Sequence, residues 1–561
     1  MRKLIVLTGI LLYSSLSFAG GLLTNGNQSS QYIRMLSRNA STDVDAVYFN
    51  PAGLMMMEDG FYFALQNQSL YQYKTVESTF PLLNNGKYEG LLSAPVFPTA
   101  YAIYKKDRFA FSLGFGPNSG GGSATFDKGL PSFETQISTL VPSLAGLSQL
   151  GMNVTKYNSD IYFKGTSVFW GIQGGASFKV NKVFSVYAGA RYVPAKNKYT
   201  GYIKNIQLDV NGQFTSAAPF LTSTAAQMQS LAAQASGGAT MASGAAVEVQ
   251  PLITNGAGSL TIAQVEGLGY LSAANAAQLL QGLALLGLSQ TQISQMNITQ
   301  IQGAFTSGAA TLNGQAAALT SQATKLNGTA ALLADKNVDV TQTGSGITPI
   351  LGVNISPAKG LNIGIKYEFM TKLTLTNSTK VDGTGLFPDH GKTGSDLPSI
   401  LSIGADYKIS KLTLSLSFNS YDDKAVNWGT NTYINGTNSY TEQRTIAHNT
   451  WETAIGAQYQ LTKKFAVSAG YLLTQMGVTP QFQNDLSFIN NGANTFACGI
   501  QWKPTPKITV DAGGLYTGYS TDRKTFASGS EINNYGITYT ESYTKHNLGF
   551  TVGLAYHIGK L

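Results

Sequence analysis

The sequence predicts a closed antiparallel β-barrel of about 14 strands that spans a membrane. First, apolar and polar residues alternate, as in KLTLSLSFNS (411–420), where Leu412, Leu414 and Leu416 share one face. Second, several alternating segments approach or exceed ten residues, whereas strands of soluble proteins average about five or six. Third, short Lys-rich turns alternate with long polar loops, the asymmetry typical of outer-membrane barrels.

The first residues have the pattern of an export signal. Arg2 and Lys3 supply positive charge, residues 5–13 are apolar, and residues 17–19 (Ser-Phe-Ala) are suited to signal peptidase. The apolar run is well short of the roughly 20 residues that cross a bilayer as a helix. Residues 1–19 are therefore predicted to be a signal peptide.

The composition excludes several classes of protein. Only 12% of the 561 residues are charged, against about 25% in ordinary globular domains. Beyond the signal there is no apolar run of 18 residues, which excludes a helical membrane protein. The net charge of +8 is scattered, which argues against nucleic acid as a partner. With Cys498 as its single cysteine, the chain forms no internal disulfide.

Residues 61–561 are assigned to the barrel. In hydrocarbon each unpaired backbone group costs several kcal/mol, so the sheet must close on itself. An even number of strands returns both ends of the barrel chain to the periplasm. The alternation predicts strands that begin near Phe61, Thr99, Phe109, Ser167, Phe184, Ile347, Leu361, Ser399, Leu412, Thr450, Phe465, Thr495, Ile508 and Asn547.

Two segments lie outside the alternating pattern. Residues 20–60 contain an Asn-Pro-Ala-Gly turn and are predicted to plug the lumen or to hang below it. Residues 207–340 are rich in Ala, Ser and Gln, almost uncharged between Asn211 and Ala334, and predicted to form a large helical extracellular insertion. Low-complexity disorder is the alternative for this insertion.

A shorter loop, residues 118–159, contains a candidate apolar groove. Pro142 can begin a helix on which Leu144, Leu147 and Leu150 share one face. Such a face is suited to dock an apolar ligand at the outer rim. The alternative is that the three leucines are buried against the neighbouring insertion.

The N-terminal segment and the strand pattern together resemble the FadL-like family, outer-membrane transporters of long-chain fatty acids and aromatic hydrocarbons. The family's N-terminal plug, the hatch, ends in an acidic stretch followed by Asn-Pro-Ala-Gly, here STDVDAVYFNPAGL (41–54). FSLGFGPNSGGG, VFSVYAGARYVPAKNKY and LPSILSIGADYKI look like its third strand, its fifth strand and its Leu-Pro strand opening. The likeness covers nearly the whole mature chain except the long insertion. The bulky hatch sequence with Arg34 and Arg38 departs from the family, so its substrate lining is not transferable.

The resemblance implies a barrel corked by its own N-terminus. Hydrophobic substrate would bind in an outer groove, pass to a site in the lumen and leave sideways through a gap at the third strand. The hatch motif comprises Asn50, Pro51, Ala52 and Gly53.

Weak strand formers at the third strand suggest where that gap would lie. Glycine weakens a strand and proline lacks the N–H donor that the ladder needs. The alternative is that these residues only begin the following loop. The candidates for the lateral opening are Gly116, Pro117, Gly120, Gly121 and Gly122.

Arg191 and Lys366 are the candidates for binding an anionic head group. The alternation places both on inward faces, where a cation can pair with a carboxylate. The alternative is a structural role, in which Lys366 pairs with Glu368 and Arg191 pairs with Asp43 or Asp45.

The sequence therefore predicts a monomeric outer-membrane transporter of hydrophobic compounds in a Gram-negative bacterium. Its expected partners are the small-molecule substrate, outer-membrane lipid and lipopolysaccharide, and the barrel-assembly machinery. A surface adhesin built on residues 207–340 and a general porin are the alternatives. No enzyme activity, cofactor or metal is expected, because the four histidines lack ligand spacing and no Gly-x-Ser-x-Gly motif occurs.

Overall fold

The computed structural model describes residues 29–426, 431–434, 437–441, 446–480, 483–486, 488–528 and 536–559. The predicted signal peptide, residues 1–19, and the first part of the predicted hatch, residues 20–28, lie outside the described residues.

Fourteen antiparallel strands form a closed barrel, which confirms the predicted fold class. The first and last strands pair along their whole length, from Phe61 opposite Ile558 to Ser78 opposite Glu541. The strands are β1 Gly60–Ser78, β2 Lys87–Lys106, β3 Phe109–Phe126, β4 Val154–Lys179, β5 Phe184–Val210, β6 Lys336–Ala358, β7 Leu361–Glu368, β8 Ile400–Ile409, β9 Leu412–Tyr421, β10 Thr450–Gln460, β11 Phe465–Gln475, β12 Gly492–Thr505, β13 Ile508–Tyr519 and β14 Tyr539–Ile558.

The connections alternate strictly between short and long. The turns between β2 and β3, β6 and β7, β8 and β9, and β12 and β13 each leave two residues between the strands. At the opposite end the connections are longer and contain short strands. These are Gln213–Ser216, Thr374–Asp382, Lys392–Gly394, Asn431–Ile434, Thr437–Thr441 and Asp522–Phe526.

The lipid-facing side of the barrel carries its apolar residues. Phe63 and Leu65 on β1 are exposed, whereas Gln66 and Gln68 on the other face are buried. The same inversion holds on β14, where Val552 is exposed and Thr551 is buried. Exposed apolar and buried polar side chains are the arrangement that a membrane-spanning barrel requires.

Residues 29–59 form a compact segment whose side chains contact the inner wall. Two short helices, α1 Ser30–Ile33 and α2 Ala46–Phe49, precede a 3₁₀ helix, Pro51–Met56. Ile33, Val47 and Leu54 are fully buried. We keep the name hatch for this segment.

Glycines on the wall let the hatch backbone approach closely. A Cβ at Gly404 would lie 2.6 Å from Asn39 Cβ, and one at Gly456 would lie 2.6 Å from Met35 O. Real Cβ atoms do not tolerate such distances, so these positions exclude any other residue while the hatch stays in place. The wall glycines at which a Cβ would lie under 3.0 Å from a hatch atom are Gly114, Gly364, Gly404, Gly456, Gly470, Gly499 and Gly553.

Residues 144–158 and 205–334 form a second compact unit. Its long helices, α4 Ala217–Glu248 and α9 Ile298–Leu332, run antiparallel, since Gln302 near the start of α9 donates to Ala246 O near the end of α4. Buried alanines repeat every seven residues on both helices, as in a coiled coil. They are Ala225, Ala232, Ala239 and Ala246 on α4, and Ala309, Ala316, Ala323 and Ala330 on α9.

Short helices and a separate apolar core join α4 to α9. The core contains Val265, Leu283 and Phe305. None of the helices in the described part of the chain combines the length and apolar character that a membrane-spanning helix requires. The connecting helices are α5 Gln250–Leu252, a π-helical segment Ile253–Ala257, α6 Ile262–Gly267, α7 Ala273–Leu285 and α8 Gln290–Gln295; α3, Pro131–Ser138, lies between β3 and β4.

Candidate functional site in the barrel lumen

Arg191 on β5 and Lys366 on β7 share one carboxylate, that of Glu368. Arg191 Nη1 lies 2.6 Å from Glu368 Oε2, and Nη2 lies 3.1 Å from Oε1, a bidentate pair. Lys366 Nζ lies 2.6 Å from the same Oε1. All three side chains are at least 95% buried. In the described part of the chain no other carboxylate pairs with either cation, so the cluster carries a net charge of +1.

Tyr48 of the hatch covers this cluster. The Arg191 guanidinium and the Lys366 ammonium lie 4.5 and 4.7 Å from the centroid of its ring. Lys366 Nζ also donates to Tyr48 O at 2.7 Å. Burial raises the pKa of the Tyr48 hydroxyl, although nearby Arg191 opposes the shift. The ring therefore stays neutral and attracts both cations.

The cluster lines a cavity of about 40 Å³ in the lumen. This volume holds a water molecule or two rather than a lipophile, so the bore is closed here. Polar residues Asn118, Thr348 and Ser402 share the lining with apolar Leu36, Phe49 and Ile400.

Of the structural alternatives considered for the two cations, one matches the geometry and one does not. Lys366 pairs with Glu368, as that alternative predicts. Arg191 does not pair with Asp43 or Asp45, because Glu368 is within reach on β7 and the hatch supplies its own cation. That cation is Arg38, which donates to both carboxylate oxygens of Asp45 at 2.7 Å.

Arg34 and Arg38, the two departures from the family pattern, fix the hatch. Burial alone would lower the pKa of Arg38, but contact with Asp45 raises it above its ordinary value, so the guanidinium stays charged. Arg34 Nε lies 2.9 Å from Asp511 Oδ1 on β13. Arg34 Nη1 donates to Ser468 on β11 at 3.0 Å. Arg34 therefore holds the hatch against the wall, and Arg38 holds the hatch segment together.

The Asn-Pro-Ala-Gly turn contacts three strands. Asn50 Nδ2 donates to Ser41 O at 3.0 Å and to Asn354 Oδ1 on β6 at 2.7 Å. Ser177 on β4 donates to Pro51 O, and Ser185 on β5 donates to Ala52 O. Gly53 has no space for a side chain, since a Cβ there would lie 2.5 Å from Ser41 O. That this turn holds the end of the hatch during transport stays a prediction.

The ladder between β2 and β3 is interrupted. The two strands pair from Lys106 opposite Phe109 to Ala100 opposite Phe115, and again from Ser93 opposite Ser123. Residues 94–99 and 116–122 between those points do not pair with each other. This interruption, which we call the wall gap, contains all five predicted opening residues; that substrate leaves through it stays a prediction.

Glycine geometry keeps β3 attached to β4 beside the wall gap. The pairing with β4 shifts register between Pro117 and Ser119 and between Gly120 and Gly122. Gly120 and Gly122 have φ angles of 84° and 94°, which only glycine adopts without strain. Sequence reasoning missed the contribution of β2, where Pro95 and Pro98 also lack N–H donors within the unpaired stretch.

Two further cavities lie between the cluster and the lipid-facing surface, and each shares lining residues with its neighbour. A small one beneath the wall gap shares Tyr48, Asn118 and Arg191 with the lumen cavity. It shares Tyr101 and Phe115 with a groove of about 360 Å³ on the outer face of β1, β2, β3 and β14.

Another lumen cavity, also of about 40 Å³, lies beside Glu452 on β10. The Tyr421 hydroxyl donates to Glu452 Oε2 at 2.6 Å, and Thr474 donates to Oε1 at 3.0 Å. Tyr519 and Asn547 line the same cavity. Glu452 gave no sequence signal beyond its inward position on an alternating strand.

The three groove candidates lie in the second unit, on a 3₁₀ helix, Pro142–Leu150. Leu144 and Leu147 are buried, whereas Leu150 is exposed. Since a 3₁₀ helix repeats every three residues, the leucines share a face, as the spacing predicts. Ligand binding at this face stays a prediction.

Comparisons with known proteins agree on the fold. Residues 286–558 match the model of a family described as outer membrane protein transport protein (OMPP1/FadL/TodX). The crystal structure of a Pseudomonas aeruginosa FadL homologue is 13% identical, with a TM-score of 0.56, over 96% of this chain and 99% of that one. The crystal structure of the P. putida toluene transporter TodX is 12% identical, with a TM-score of 0.48, over 93% of this chain and 95% of that one. No curated protein matches in sequence.

Proposed function

Because residues 286–558 belong to the OMPP1/FadL/TodX family of outer-membrane transport proteins, we propose that substrate reaches the lumen cluster and then leaves sideways through the wall gap. The protein is an outer-membrane β-barrel of a family of channels for hydrophobic compounds.

One observation carries the proposal: the small cavity next to the Arg191 cluster lies at the wall gap, where Gly116, Pro117 and Asn118 line it, and the lipid-facing groove begins at the adjacent paired residues Ala100 and Phe115. The lumen cavity, the cavity beneath the wall gap and the lipid-facing groove share residues in sequence, with Tyr48 and Arg191 at the first junction and Tyr101 and Phe115 at the second. Elsewhere β2 and β3 are joined by ladder pairs. Small side-chain movements at these junctions would open a passage to the bilayer.

Lateral exit suits a lipophilic substrate energetically. Each CH₂ group gains about 0.8 kcal/mol by staying out of water. Below the cluster the hatch contacts the wall closely, so a downward route would need the hatch to move. The sideways route would emerge beside the apolar groove lined by Phe63, Leu65 and Leu113.

The cluster favours a substrate with an anionic head group. Two cations sharing one carboxylate leave one positive charge for which a substrate carboxylate is the natural partner. A long-chain fatty acid has this chemistry, whereas a neutral aromatic hydrocarbon would use only the apolar part of the lining. Arg191 and Lys366 are thus the proposed head-group ligands, with Glu368 holding them in position.

Uptake measurements test this function. Cells lacking the gene are expected to take up a labelled long-chain fatty acid more slowly than cells with it, with a smaller deficit for a labelled monoaromatic hydrocarbon. Complementation with the intact gene is expected to restore uptake. A normal rate for both compounds in the deleted strain would overturn the proposal.

Gly171→Val tests the route inside the barrel. A Cβ at Gly171 would lie 2.9 Å from Arg191 Cδ and 3.4 Å from Asn118 Cβ, so valine narrows the first junction. We expect uptake to fall about tenfold or more, since a displacement near 1 Å at a functional site can cost that much.

Gly174→Val on the same strand is the matched control. A Cβ at Gly174 meets nothing closer than 3.9 Å. This variant is expected to transport normally, and both variants are expected to show the heat-modifiable gel migration of an assembled barrel. Equal uptake by the two valine variants would contradict the proposed route.

A further inference from the structure

We propose that Lys74 on β1 and Lys545 on β14 form a second anion site, near the outer end of the lumen, for the carboxylate head of an amphiphile. The inference rests on the proposed function, because it supposes an anionic substrate, but the site is separate from the cluster around Arg191.

The two lysines lie directly opposite each other on paired strands. Both belong to the inward faces, since Val76 and Tyr543, two residues away on the same faces, are fully buried. Tyr73, on the opposite face, is 42% exposed. Both strands end at the long-loop rim a few residues beyond, which places the pair near the outer end of the bore.

Neither ammonium makes an ion pair or a side-chain hydrogen bond within the described residues. Asp522 carries the carboxylate that attracts the Lys545 ammonium electrostatically, without forming an ion pair with it. Its oxygens already accept from Asn491 and Ser520. Glu541, four residues from Lys545 on β14, accepts from the Tyr543 hydroxyl at 2.7 Å. Two like charges directly opposite each other on a sheet destabilise it, so the pair requires a compensating reason.

Aromatic rings flank the pair and can hold the apolar part of a ligand. Lys74 Nζ lies 5.4 Å from the centroid of Phe488, and Lys545 Nζ lies 4.2 Å from that of Tyr519. Tyr519 OH accepts from Asn547 at 2.9 Å, and Asn547 accepts from Gln72 at 2.8 Å.

Tyr519 and Asn547 also line the cavity beside Glu452. A carboxylate placed between the two ammonium groups would therefore have the rings of Phe488 and Tyr519 beside it, against which the first part of its tail can pack. The geometry is that of a first binding step, above the hatch and before the Arg191 cluster.

Photolabelling of the purified full-length protein in non-ionic detergent tests this site. The probe is dodecanoate with a diazirine next to the carboxylate, and labelled peptides are mapped by mass spectrometry. We expect labelling of peptides that contain Phe488 or Tyr519. The corresponding diazirine alcohol, which lacks the charge, is expected to label them at least tenfold less.

Lys74→Gln with Lys545→Gln is expected to reduce this labelling at least tenfold, while labelling of peptides containing Tyr48 persists. Lys87→Gln is the matched control. Lys87 is an exposed lysine at the start of β2, at the same rim of the barrel, and it forms an ion pair with Glu89. Heat-modifiable migration checks assembly. If the double variant does not assemble, Lys74→Gln and Lys545→Gln are tested singly, and each is expected to lose part of the labelling. Unchanged labelling in assembled variants, or equal labelling by the alcohol, would overturn the proposal. Because no transport is measured, a failure here is distinct from a failure of uptake.

Discussion

Replacing Asn50 and Pro51 together by alanine is expected to turn a closed barrel into one with large, long-lived conductance openings. Asn50 loses its hydrogen bonds to Ser41 O and Asn354. Each bond contributes about 1 kcal/mol. A loss of about 2 kcal/mol raises the unseated fraction of the hatch about thirtyfold. Single-channel recording in planar bilayers measures this directly, and uptake is expected to change with it.

Gly53→Ala provides an independent probe of the same turn. Its methyl group would lie 2.5 Å from Ser41 O, so the turn must shift. Gly86→Ala is the matched control, because a Cβ there lies 3.6 Å from Ser78 O, an ordinary contact. Heat-modifiable migration is expected to stay normal in all variants. A barrel that stays closed in the Asn50/Pro51 variant would show that the turn does not hold the hatch.

Glu368→Gln is expected to destabilise the barrel by about 3 kcal/mol or more, because it leaves Arg191 and Lys366 buried without their carboxylate. The NH₂ group of the glutamine side chain is also a donor, so it cannot accept a hydrogen bond from Arg191 or Lys366. Urea unfolding in micelles, followed by tryptophan fluorescence, measures the loss. Added dodecanoate is expected to restore part of it, since its carboxylate can replace the missing charge.

Glu89→Gln is the control for this prediction. Glu89 forms an ion pair with Lys87 at 2.7 Å, but its side chain is 68% exposed. Water screens an exposed pair, so its loss is expected to change the stability little. Equal losses in the two variants, or no response of Glu368→Gln to dodecanoate, would contradict a head-group role for the cluster.

The sequence predicts the strands best at the short-turn rim. Strands predicted to begin near Phe61, Phe109 and Leu361 begin at Gly60, Phe109 and Leu361. Of the strands that begin at the opposite rim, β8 and β10 begin close to the predicted residues, whereas β2, β4, β6 and β14 begin well before them; β2 begins at Lys87 and not near Thr99. Apolar and polar residues alternate where one face meets lipid, so the pattern fades where a strand continues into water.

The candidate site was predictable only in part. Alternation places Arg191 and Lys366 inside the barrel and puts Glu368 beside Lys366 on the same face of β7, but the partner of Arg191 lies on another strand and cannot be read from local spacing. The opposition of Lys74 and Lys545, which are 471 positions apart, appears only when the first strand meets the last. Pro95 and Pro98 lie in a segment without alternation, so nothing local marks them as part of the wall gap.

The wall glycines have a consequence for exchanging parts between relatives. Where Gly404 and Gly456 meet Asn39 and Met35, backbone touches the hatch with no side chain between them. The fit between wall and hatch there depends on the width of the hatch backbone alone. Because the wall residues are already glycine, no single substitution on the wall can make room for a wider hatch. A chimera that joins this barrel to the hatch of a relative should therefore fail to seat that hatch, because of steric clashes, even when every polar contact is preserved. The barrel wall and the hatch must change together.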